Sequence, residues 1–302
     1  MPEDTLSNDG GLSDANSKGA ELATSQPKLV IDAENEDVAP KRFRMTSQTV
    51  EQPNELDCRG LHSLKASASG QFSLGGLRYI KRVIGYSPMT IVDLRQECHG
   101  FIHGAAISWF GEYNGANKGM SQEDVVRLEH RLLREMIDAA LPFELPCGAS
   151  DPSTESMPDA RSVYSEEELA KSEGVGYTRF CVTDHHRPED ETVDRFIQFV
   201  KAVPEEMWLH FHCRGGVGRA TTFILMYDMM RNAGQVAFAD ILRRQQLIGG
   251  RDMYRMNPQD AYKYEAAVQR LDFIDRFYNY CADCRDDYSV SWTEWLEESA
   301  GR

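Results

Sequence analysis

Residues 210–222 read HFHCRGGVGRATT and contain the pattern that decides the fold. An apolar strand runs into Cys213, Arg219 follows six positions later, and an apolar helix is predicted over 219–232. The glycines among residues 214–218 let the loop curl so that successive backbone N–H groups point inward. The start of the following helix adds unpaired N–H groups and the positive end of its dipole at the same place. The pattern therefore predicts a cradle for one phosphate dianion between a strand and a helix.

The residue types in this loop indicate nucleophilic chemistry on phosphorus. The positive field favours the thiolate form of Cys213, and a thiolate is the nucleophile in cysteine chemistry. We expect Cys213 to attack phosphorus in line, giving a phosphocysteine that water then hydrolyses. Arg219 closes the cradle with a bidentate fork that a lysine cannot match. Because Arg219 and the loop N–H groups stabilise the equatorial oxygens, no metal and no cofactor is expected. The other loop residues predicted to bind the phosphate are Arg214, Gly215, Gly216, Val217 and Gly218.

A proton donor for the leaving group is predicted upstream, in the segment 181–188, which reads CVTDHHRP. Asp184 is the candidate acid, and it would activate water in the second step. The alternative is that Asp184 is the N-cap of the helix that follows. The phosphate loop, whose Cys213 comes 29 residues later, favours the role of an acid for Asp184. His185 and Arg187 are candidates to contact neighbouring phosphates. His212 is expected to orient the loop through a hydrogen bond, with a proton shuttle as the alternative.

These motifs resemble those of the protein tyrosine phosphatase-like inositol phosphatases, the bacterial cysteine phytases. The resemblance covers roughly residues 41–290. It includes the acid loop DHHRP at 184–188, Phe43-Arg44, DLRQECHG at 93–100, SWFGE at 108–112 and ANKG at 116–119.

The resemblance implies an α/β fold of the protein tyrosine phosphatase type: a central, mostly parallel sheet flanked by helices, with a small β-barrel-like insertion. It implies stepwise hydrolysis of the phosphomonoesters of myo-inositol hexakisphosphate. In that chemistry Cys213 would be the nucleophile, Arg219 the phosphate clamp and Asp184 the acid. A protein phosphotyrosine or phosphoinositide phosphatase is the enzymatic alternative.

Further substrate contacts are implied outside the loop, because a polyphosphate needs several cations around one pocket. The resemblance assigns Arg44, His185 and Lys118 to this role, with an exposed surface cation as the alternative for Arg44 and Lys118. Arg95 is expected to pair with a nearby acid and hold the structure. Four more candidates for a basic rim are Lys263, Arg243, Arg244 and Arg251.

One position departs from the family pattern. The family usually has Ser or Thr directly after the loop arginine, whereas this chain has Ala220. Thr221 and Thr222 follow, but a shift of one residue along a helix turns the side chain by about 100°. We therefore expect slower turnover than in a family member that carries the hydroxyl. Ala220 also supports the non-enzymatic alternative, a pseudophosphatase that binds phosphorylated ligands without turning them over.

The charge of the chain is unevenly distributed. The sequence has 302 residues, 33 Lys and Arg against 48 Asp and Glu, and a formal net charge of −15. Residues 1–40 hold nine acidic residues and two lysines, so this stretch alone carries −7. The acid excess argues against a nucleic-acid partner and against a polybasic membrane-surface protein. The expected partner is a small, densely phosphorylated ring, and nothing in the sequence indicates a protein partner.

Residues 1–40 are predicted to form a disordered tail, either dispensable or an address for a non-Sec export route. Residues 41–302 are predicted to form the catalytic domain, with a small inserted subdomain within about 99–176. No Sec signal and no transmembrane segment is recognised, which favours a cytoplasmic enzyme or delivery into a host cell by an injection-type secretion system. The seven cysteines are expected to be reduced, with zinc or a disulfide as alternatives at Cys281 and Cys284.

Local patterns predict the order of the secondary structure. Alternating strands and helices indicate an α/β core. Strands are predicted over 89–94, 177–182 and 207–212, helices over 121–141, 189–203, 219–232, 240–247 and 261–280, a helical turn over 166–171, and irregular structure over 142–165.

Overall fold

Strands and helices alternate through most of the chain. The computed structural model describes residues 27–49, 56–138, 163–285 and 287–301. The strands are β1 (Lys28–Ala33), β2 (Arg44–Met45), β3 (Ala66–Ser69), β4 (Met89–Arg95), β5 (His99–Ile102), β6 (Ala105–Phe110), β7 (Val163–Tyr164), β8 (Gly176–Val182) and β9 (Trp208–His212). The α-helices are α1 (Leu74–Val83), α2 (Gln122–Asp138), α3 (Glu166–Ser172), α4 (Asp190–Ala202), α5 (Gly218–Asn232), α6 (Phe238–Leu247), α7 (Ala261–Asp283) and α8 (Trp292–Ala300). Two 3₁₀ turns cover His62–Leu64 and Glu112–Asn114.

The central sheet has the order β2-β3-β9-β4-β8. Strands β3, β9, β4 and β8 run parallel, and β2 is antiparallel to β3. The prediction of a mostly parallel sheet is therefore confirmed. Because the strands are parallel, the carboxyl ends of β9, β4 and β8 meet at one edge of the sheet, where ligands bind in open α/β folds. Cys213 follows β9 directly, and Asp184 lies two residues beyond β8.

Helices cover both faces of the central sheet. Along β4, Val92 and Leu94 pack into the same apolar cluster as α4, α5 and α7, whereas Met89 and Ile91 pack into the cluster of α1 and α3. This division follows from the alternation of side chains along a strand. Helix α5 is buried from Arg219 to Met230, which explains why its sequence is apolar on all sides.

A second sheet has the order β1-β6-β5-β7 and is antiparallel throughout. Most of it comes from the predicted subdomain within 99–176. In the part of the chain described, β1 and β7 are the two edges of this sheet, so its strands show an open sheet where the resemblance implied a barrel-like closure.

Strand β1 corrects the predicted extent of the tail. Residues 28–33 lie within the segment 1–40 that was predicted to be disordered, yet they pair with β6. Leu29 lies opposite Trp109 and Ile31 opposite Ile107, so this short apolar run is ordered by pairing with a strand of the second sheet. Residues 1–26 lie outside the described residues.

For most predicted strands and helices, the described ends lie within three residues of the predicted ends. Helix α2 begins one residue after its predicted start at Ser121, whose Oγ accepts a hydrogen bond of 3.1 Å from the Asp124 N–H. The predicted irregular stretch lies outside the described residues up to residue 162, and 163–164 form β7. The strands β1, β2, β3, β5, β6 and β7 and the helices α1 and α8 were not predicted. No helix in the described segments is long and apolar enough to cross a membrane.

Candidate active site

The predicted phosphate loop runs from the end of β9 to the start of α5. Cys213 is 3% exposed, and Gly215 lies at the exposed outer part of the loop. The Arg214 carbonyl accepts a hydrogen bond of 3.1 Å from the backbone N–H of Gln71. The loop is therefore fixed against the chain that follows β3, as expected for a cradle that must keep its N–H groups pointed at one place.

Gly216 shows why the loop needs a glycine at its inner turn. Its φ is +69°, in the left-handed region that L residues rarely adopt. A Cβ at this position would lie 2.3 Å from the Gly70 backbone nitrogen and 2.5 Å from the Ser69 carbonyl carbon. Both the backbone conformation and the space therefore exclude a side chain here.

Arg219 is completely buried beside the loop. Its two Nη atoms donate to both carboxylate oxygens of Glu97 at 2.7 and 2.9 Å and to the carbonyls of Leu94 and Val182. Nη2 also lies 3.3 Å from Oδ1 of Asp184. Burial lowers the pKa of Arg219, but the carboxylates of Asp184 and Glu97 outweigh burial and hold the pKa well above its usual range. Its Nε is buried without a partner among the described residues, so one donor is left for a ligand.

Asp184 lies at the carboxyl end of β8 with both carboxylate oxygens engaged. Oδ1 accepts from the His185 backbone N–H at 2.9 Å, and Oδ2 accepts from Nδ2 of Asn114 at 2.8 Å. Helix α4 begins at Asp190 with Glu189 as its N-cap, so the interpretation of Asp184 as that N-cap is wrong. His185 has a φ of +68°, and burial lowers the pKa of its half-buried imidazole.

Arg270 of α7 was missed from the sequence. Its Nη2 donates to the His185 carbonyl, and its Nη1 lies 3.1 Å from where a Cβ on Gly218 would be. Burial and the nearby Arg251 lower the pKa of Arg270 to about 10, against the opposing effect of Asp184 and Cys213. No local motif marks this arginine, because the contact joins a helix to a loop 85 residues earlier.

Arg44 lies beneath the phosphate loop and is 1% exposed. It donates from Nη1 to the Gly216 carbonyl and from Nη2 to Oγ1 of Thr221, each at 3.0 Å. The alternative of an exposed surface cation is therefore wrong for Arg44, and its contacts favour support of the loop over the expected substrate contact. Lys118 is exposed, with Nζ 5.7 Å from the ring centroid of Tyr262.

Asp32 of β1 joins two arginines of the site. Its Oδ1 accepts from Nε of Arg214 at 2.7 Å and its Oδ2 from Nη1 of Arg95 at 2.8 Å. The guanidinium of Arg214 also lies 4.5 Å from the ring centroid of Phe110. Burial raises the pKa of Asp32, but the two arginines outweigh it and lower the pKa overall. The structural ion pair expected for Arg95 is confirmed here and at Glu97, 2.8 Å away.

Two of the other predicted cations are paired with carboxylates. Arg187 pairs with Asp190 at 2.7 Å. Arg244 is completely buried against Asp228, so its assignment to an exposed basic rim is wrong. Lys263 is exposed and lies close enough to affect the pKa of His185. The guanidinium of Arg251 donates to the Arg255 carbonyl and lies close enough to lower the pKa of Arg270, and Arg243 donates to Gln246.

His212 is completely buried, with Nε2 2.6 Å from Oε1 of Glu166. His99 lies 3.4 Å from the other carboxylate oxygen of Glu166 and 3.3 Å from Asp93. Burial raises the pKa of Glu166, but His212 and His99 outweigh this effect and lower the pKa to about 2. Burial lowers the pKa of His99, but Asp93 and Glu129 outweigh it and raise the pKa to about 10. An imidazole anchored in this way favours the orienting role of His212 over a proton shuttle.

The hydroxyls after Ala220 are used elsewhere. Oγ1 of Thr221 accepts from Arg44 and from the Arg251 backbone N–H, at 3.0 and 3.1 Å. Oγ1 of Thr222 donates to the Gly218 carbonyl at 3.1 Å. The Thr222 hydroxyl therefore gives its proton to the Gly218 carbonyl, and the Thr221 oxygen is directed at Arg44 and Arg251.

Three known proteins resemble this chain over most of its length. Effector protein hopD2 of Pseudomonas syringae pv. tomato is 30% identical over 269 residues, covering 85% of this chain and 57% of that protein. The PTP-like myo-inositol phosphatase of Mitsuokella multacida, solved with myo-inositol-(1,3,4,5)-tetrakisphosphate, has a TM-score of 0.78 and 30% identity, covering 92% of this chain and 50% of that one. A PTP-like phytase from Bdellovibrio bacteriovorus has a TM-score of 0.71 and 31% identity, covering 91% and 96%.

The coverage differs among these relatives. This chain spans about half the length of the Pseudomonas and Mitsuokella proteins, but nearly all of the Bdellovibrio structure. The family model of the PTP-like phytases, described as "Inositol hexakisphosphate", matches residues 92–231, which hold the predicted acid and the whole phosphate loop. On this evidence of sequence and fold, the chain belongs to the PTP-like phytase family.

Proposed function

We propose that this chain is a cysteine-dependent phosphatase that removes phosphates stepwise from inositol polyphosphates, with myo-inositol hexakisphosphate as a substrate. The observation that carries the proposal is Arg219, which Glu97 holds from one side while its Nε stays unpartnered beside the Cys213 loop. A phosphate in the loop would supply the acceptor for that donor. Family membership and the tetrakisphosphate bound to the Mitsuokella relative support the substrate class.

The proposed reaction uses three groups. Sγ of Cys213 attacks phosphorus, the bond from phosphorus to the inositol oxygen breaks, and Asp184 gives that oxygen its proton. The carboxylate of Asp184 then takes a proton from water, which attacks phosphorus. The S–P bond breaks, the thiolate returns and inorganic phosphate leaves. Arg219 and the loop N–H groups hold the equatorial oxygens in both steps.

Several cations around the loop support a substrate with many phosphates. Arg270 is buried beside the loop, and Lys118 and Lys263 are exposed near the acid loop. The carbonyl of His185, on the acid loop itself, accepts a hydrogen bond from Arg270. A local positive field of this kind concentrates a polyanion even on a protein whose net charge is negative.

A phosphotyrosine side chain is the second candidate substrate, because aromatic rings lie beside the acid loop. The rings of Tyr113 and Tyr262 stack with their centroids 4.6 Å apart, and Tyr262 lies 5.5 Å from the ring of His186. An aromatic surface at this place could pack against a phenyl ring.

Phosphate release from myo-inositol hexakisphosphate, compared with release from a phosphotyrosine peptide, tests the proposal. We expect faster release from the inositol phosphate, with intermediates that lose one phosphate at a time. Cys213→Ser is the control, because it removes the nucleophile and leaves the loop. Negligible release from the inositol phosphate with turnover of the peptide would favour the second candidate. Equal rates for the wild type and Cys213→Ser would show a binding protein.

We also propose that the protein is delivered into a host cell by an injection-type secretion system. The name of the Pseudomonas relative, an effector protein, supports this. Fusion of residues 1–40 to a translocation reporter should give delivery that requires the secretion apparatus. A fusion of residues 27–302, which keeps β1 in the folded domain, is the matched control, and equal delivery of the two fusions would contradict a signal in the first 26 residues.

A further inference from the structure

The turn between β6 and α2 holds two consecutive residues in the left-handed conformation. Tyr113 has a φ of +48° and Asn114 a φ of +59°. Asparagine tolerates this region, but a tyrosine rarely adopts it. Tyr113 is 48% exposed and stacks on Tyr262, whereas Asn114 is 4% exposed. The turn therefore directs the two neighbouring side chains to different places, the second of them into the active site.

Nδ2 of Asn114 joins two carboxylates of the site. It donates to Oδ2 of Asp184 at 2.8 Å and to Oε1 of Glu97 at 2.9 Å. Glu97 is the carboxylate that holds Arg219 through two hydrogen bonds. A single amide thus connects the proposed acid to the group that holds the phosphate clamp.

This connection fixes the plane of the Asp184 carboxyl group. Oδ1 faces the His185 N–H and Arg219, and Oδ2 faces Asn114, so both oxygens have a fixed direction. A general acid must present its proton along one line to the leaving oxygen, and small misplacements cost much of its effect. Without the amide, the carboxyl group keeps contacts to Oδ1 only and can rotate.

We propose that Asn114 is a positioning residue for the general acid: its amide orients the carboxyl group of Asp184 and keeps it in register with Glu97 and Arg219. The proposal rests on the proposed phosphatase function. It assigns a role to the segment 113–115, which lies between the two sequence motifs at 108–112 and 116–119.

The test compares two substrates whose leaving groups differ in their need for a proton. p-Nitrophenolate leaves with little help from an acid, whereas phenolate needs a proton. We measure kcat/KM for p-nitrophenyl phosphate and for phenyl phosphate, because this ratio reports the steps up to leaving-group departure and not the later hydrolysis of phosphocysteine. Asn114→Ala should lower kcat/KM for phenyl phosphate about 30-fold and for p-nitrophenyl phosphate less than about 3-fold, since a positioned acid contributes about 10²–10⁴.

The second part of the experiment combines Asn114→Ala with a substitution that removes the acidic group of Asp184. In an Asp184→Asn background, Asn114→Ala should cause no further loss with phenyl phosphate, because the two residues act through one proton transfer. Asn117→Ala is the matched control. Asn117 lies in the same loop, is 4% exposed and bonds to Sγ of Cys98, away from the acid. It should change both substrates by the same factor.

Three outcomes overturn an inference. Equal losses on the two aryl phosphates after Asn114→Ala, or additive losses with Asp184→Asn, would show a merely structural role for Asn114. Turnover of the aryl phosphates without any release from inositol hexakisphosphate would refute the proposed substrate and leave the role of Asn114 standing. A wild-type protein that hydrolyses none of these monoesters would refute both.

Discussion

Gly216→Ala should damage the phosphate loop through the backbone alone, since every catalytic side chain is left in place. The added Cβ would lie 2.3 Å from the Gly70 nitrogen and 2.5 Å from the Ser69 carbonyl carbon. Ordinary contacts of this kind begin at 3.4 Å, so the loop or the end of β3 must move by about 1 Å. Either movement changes the direction of the N–H groups that would hold the phosphate.

The cost has two parts. The left-handed φ of +69° costs an L residue about 1–2 kcal/mol, and overpacking against a fixed backbone costs about 1–3 kcal/mol. The free energy of unfolding should therefore fall by about 2–5 kcal/mol, which lowers Tm by roughly 5–15 °C in a domain of this size. If the loop moves to relieve the strain, the loss of stability is smaller and the loss of phosphate binding is larger.

Gly215→Ala provides the matched control. Gly215 is exposed and is not among the glycines with positive φ, and a Cβ added there would have no other atom within 4 Å. Its alanine variant should keep the free energy of unfolding within about 0.5 kcal/mol. The assays are thermal unfolding, kcat/KM for p-nitrophenyl phosphate and the inhibition constant of inorganic phosphate. We expect Gly216→Ala to weaken phosphate inhibition at least about 10-fold, the effect of roughly 1.4 kcal/mol of lost binding.

Two alanine variants with the same Tm and the same phosphate inhibition would refute this reasoning. The loop would then tolerate a side chain at its inner turn, and the close approach of Gly216 to Gly70 would have no part in shaping the cradle. A Gly216→Ala variant with lower Tm but unchanged phosphate inhibition would show that the strain is absorbed outside the loop.

Ala220→Ser should speed the breakdown of the phosphocysteine by restoring a hydroxyl next to the loop arginine; a rise in kcat without a matching rise in kcat/KM checks this, and an unchanged kcat counts against it. Asp32→Asn breaks a buried pair with Arg95, so the free energy of unfolding in urea should fall by about 3 kcal/mol or more, and a loss below about 1 kcal/mol would contradict the pairing. The buried cluster of His212, Glu166, His99 and Asp93 predicts that the free energy of unfolding depends on pH. Because the pKa of Glu166 is about 2 in the folded chain against an ordinary 4.5, its contribution is present above pH 4.5 and is lost as the pH falls toward 2. Because the pKa of His99 is about 10 against 6.5, its contribution is present below pH 6.5 and is lost as the pH rises toward 10. Urea midpoints across this range should fall on both sides, and Glu166→Gln should flatten the acid side.

The fold was predictable where one local pattern carries the information. The loop at 210–222 specifies a strand, a tight turn and a helix within 13 residues, and the helices have regular apolar spacing. Strand β1 was not predicted, because its three central apolar residues lie in a segment whose composition is polar and acidic. Its stability comes from pairing with β6, about 75 residues later. Composition averages over such a segment and hides the short run that pairs.

The residues of the candidate site also divide into those that a local motif predicts and those that only a long-range contact brings to the site. Cys213, Arg219 and Asp184 could be predicted as site residues because each lies in a short local motif of the sequence. The partnership of Glu97 with Arg219 joins positions 122 apart. The contact of Arg270 with the acid loop likewise depends on where a distant helix packs. A single sequence shows the residues of such pairs but not which of them meet.

Asp32 has a consequence for the order in which the protein folds. The first strand that the structure describes contributes this carboxylate, and its partner Arg214 lies 182 residues further along the chain. During synthesis β1 can pair with β6 once the chain has been made to about residue 110, whereas Asp32 can meet Arg214 only after the phosphate loop has been made. Contacts of such long range form slowly, because loop closure precedes any stabilising contact. The pair of Asp32 and Arg214 therefore forms later than the pairing of β1 with β6, and the phosphate loop gains this contact only when segments 182 residues apart have come together.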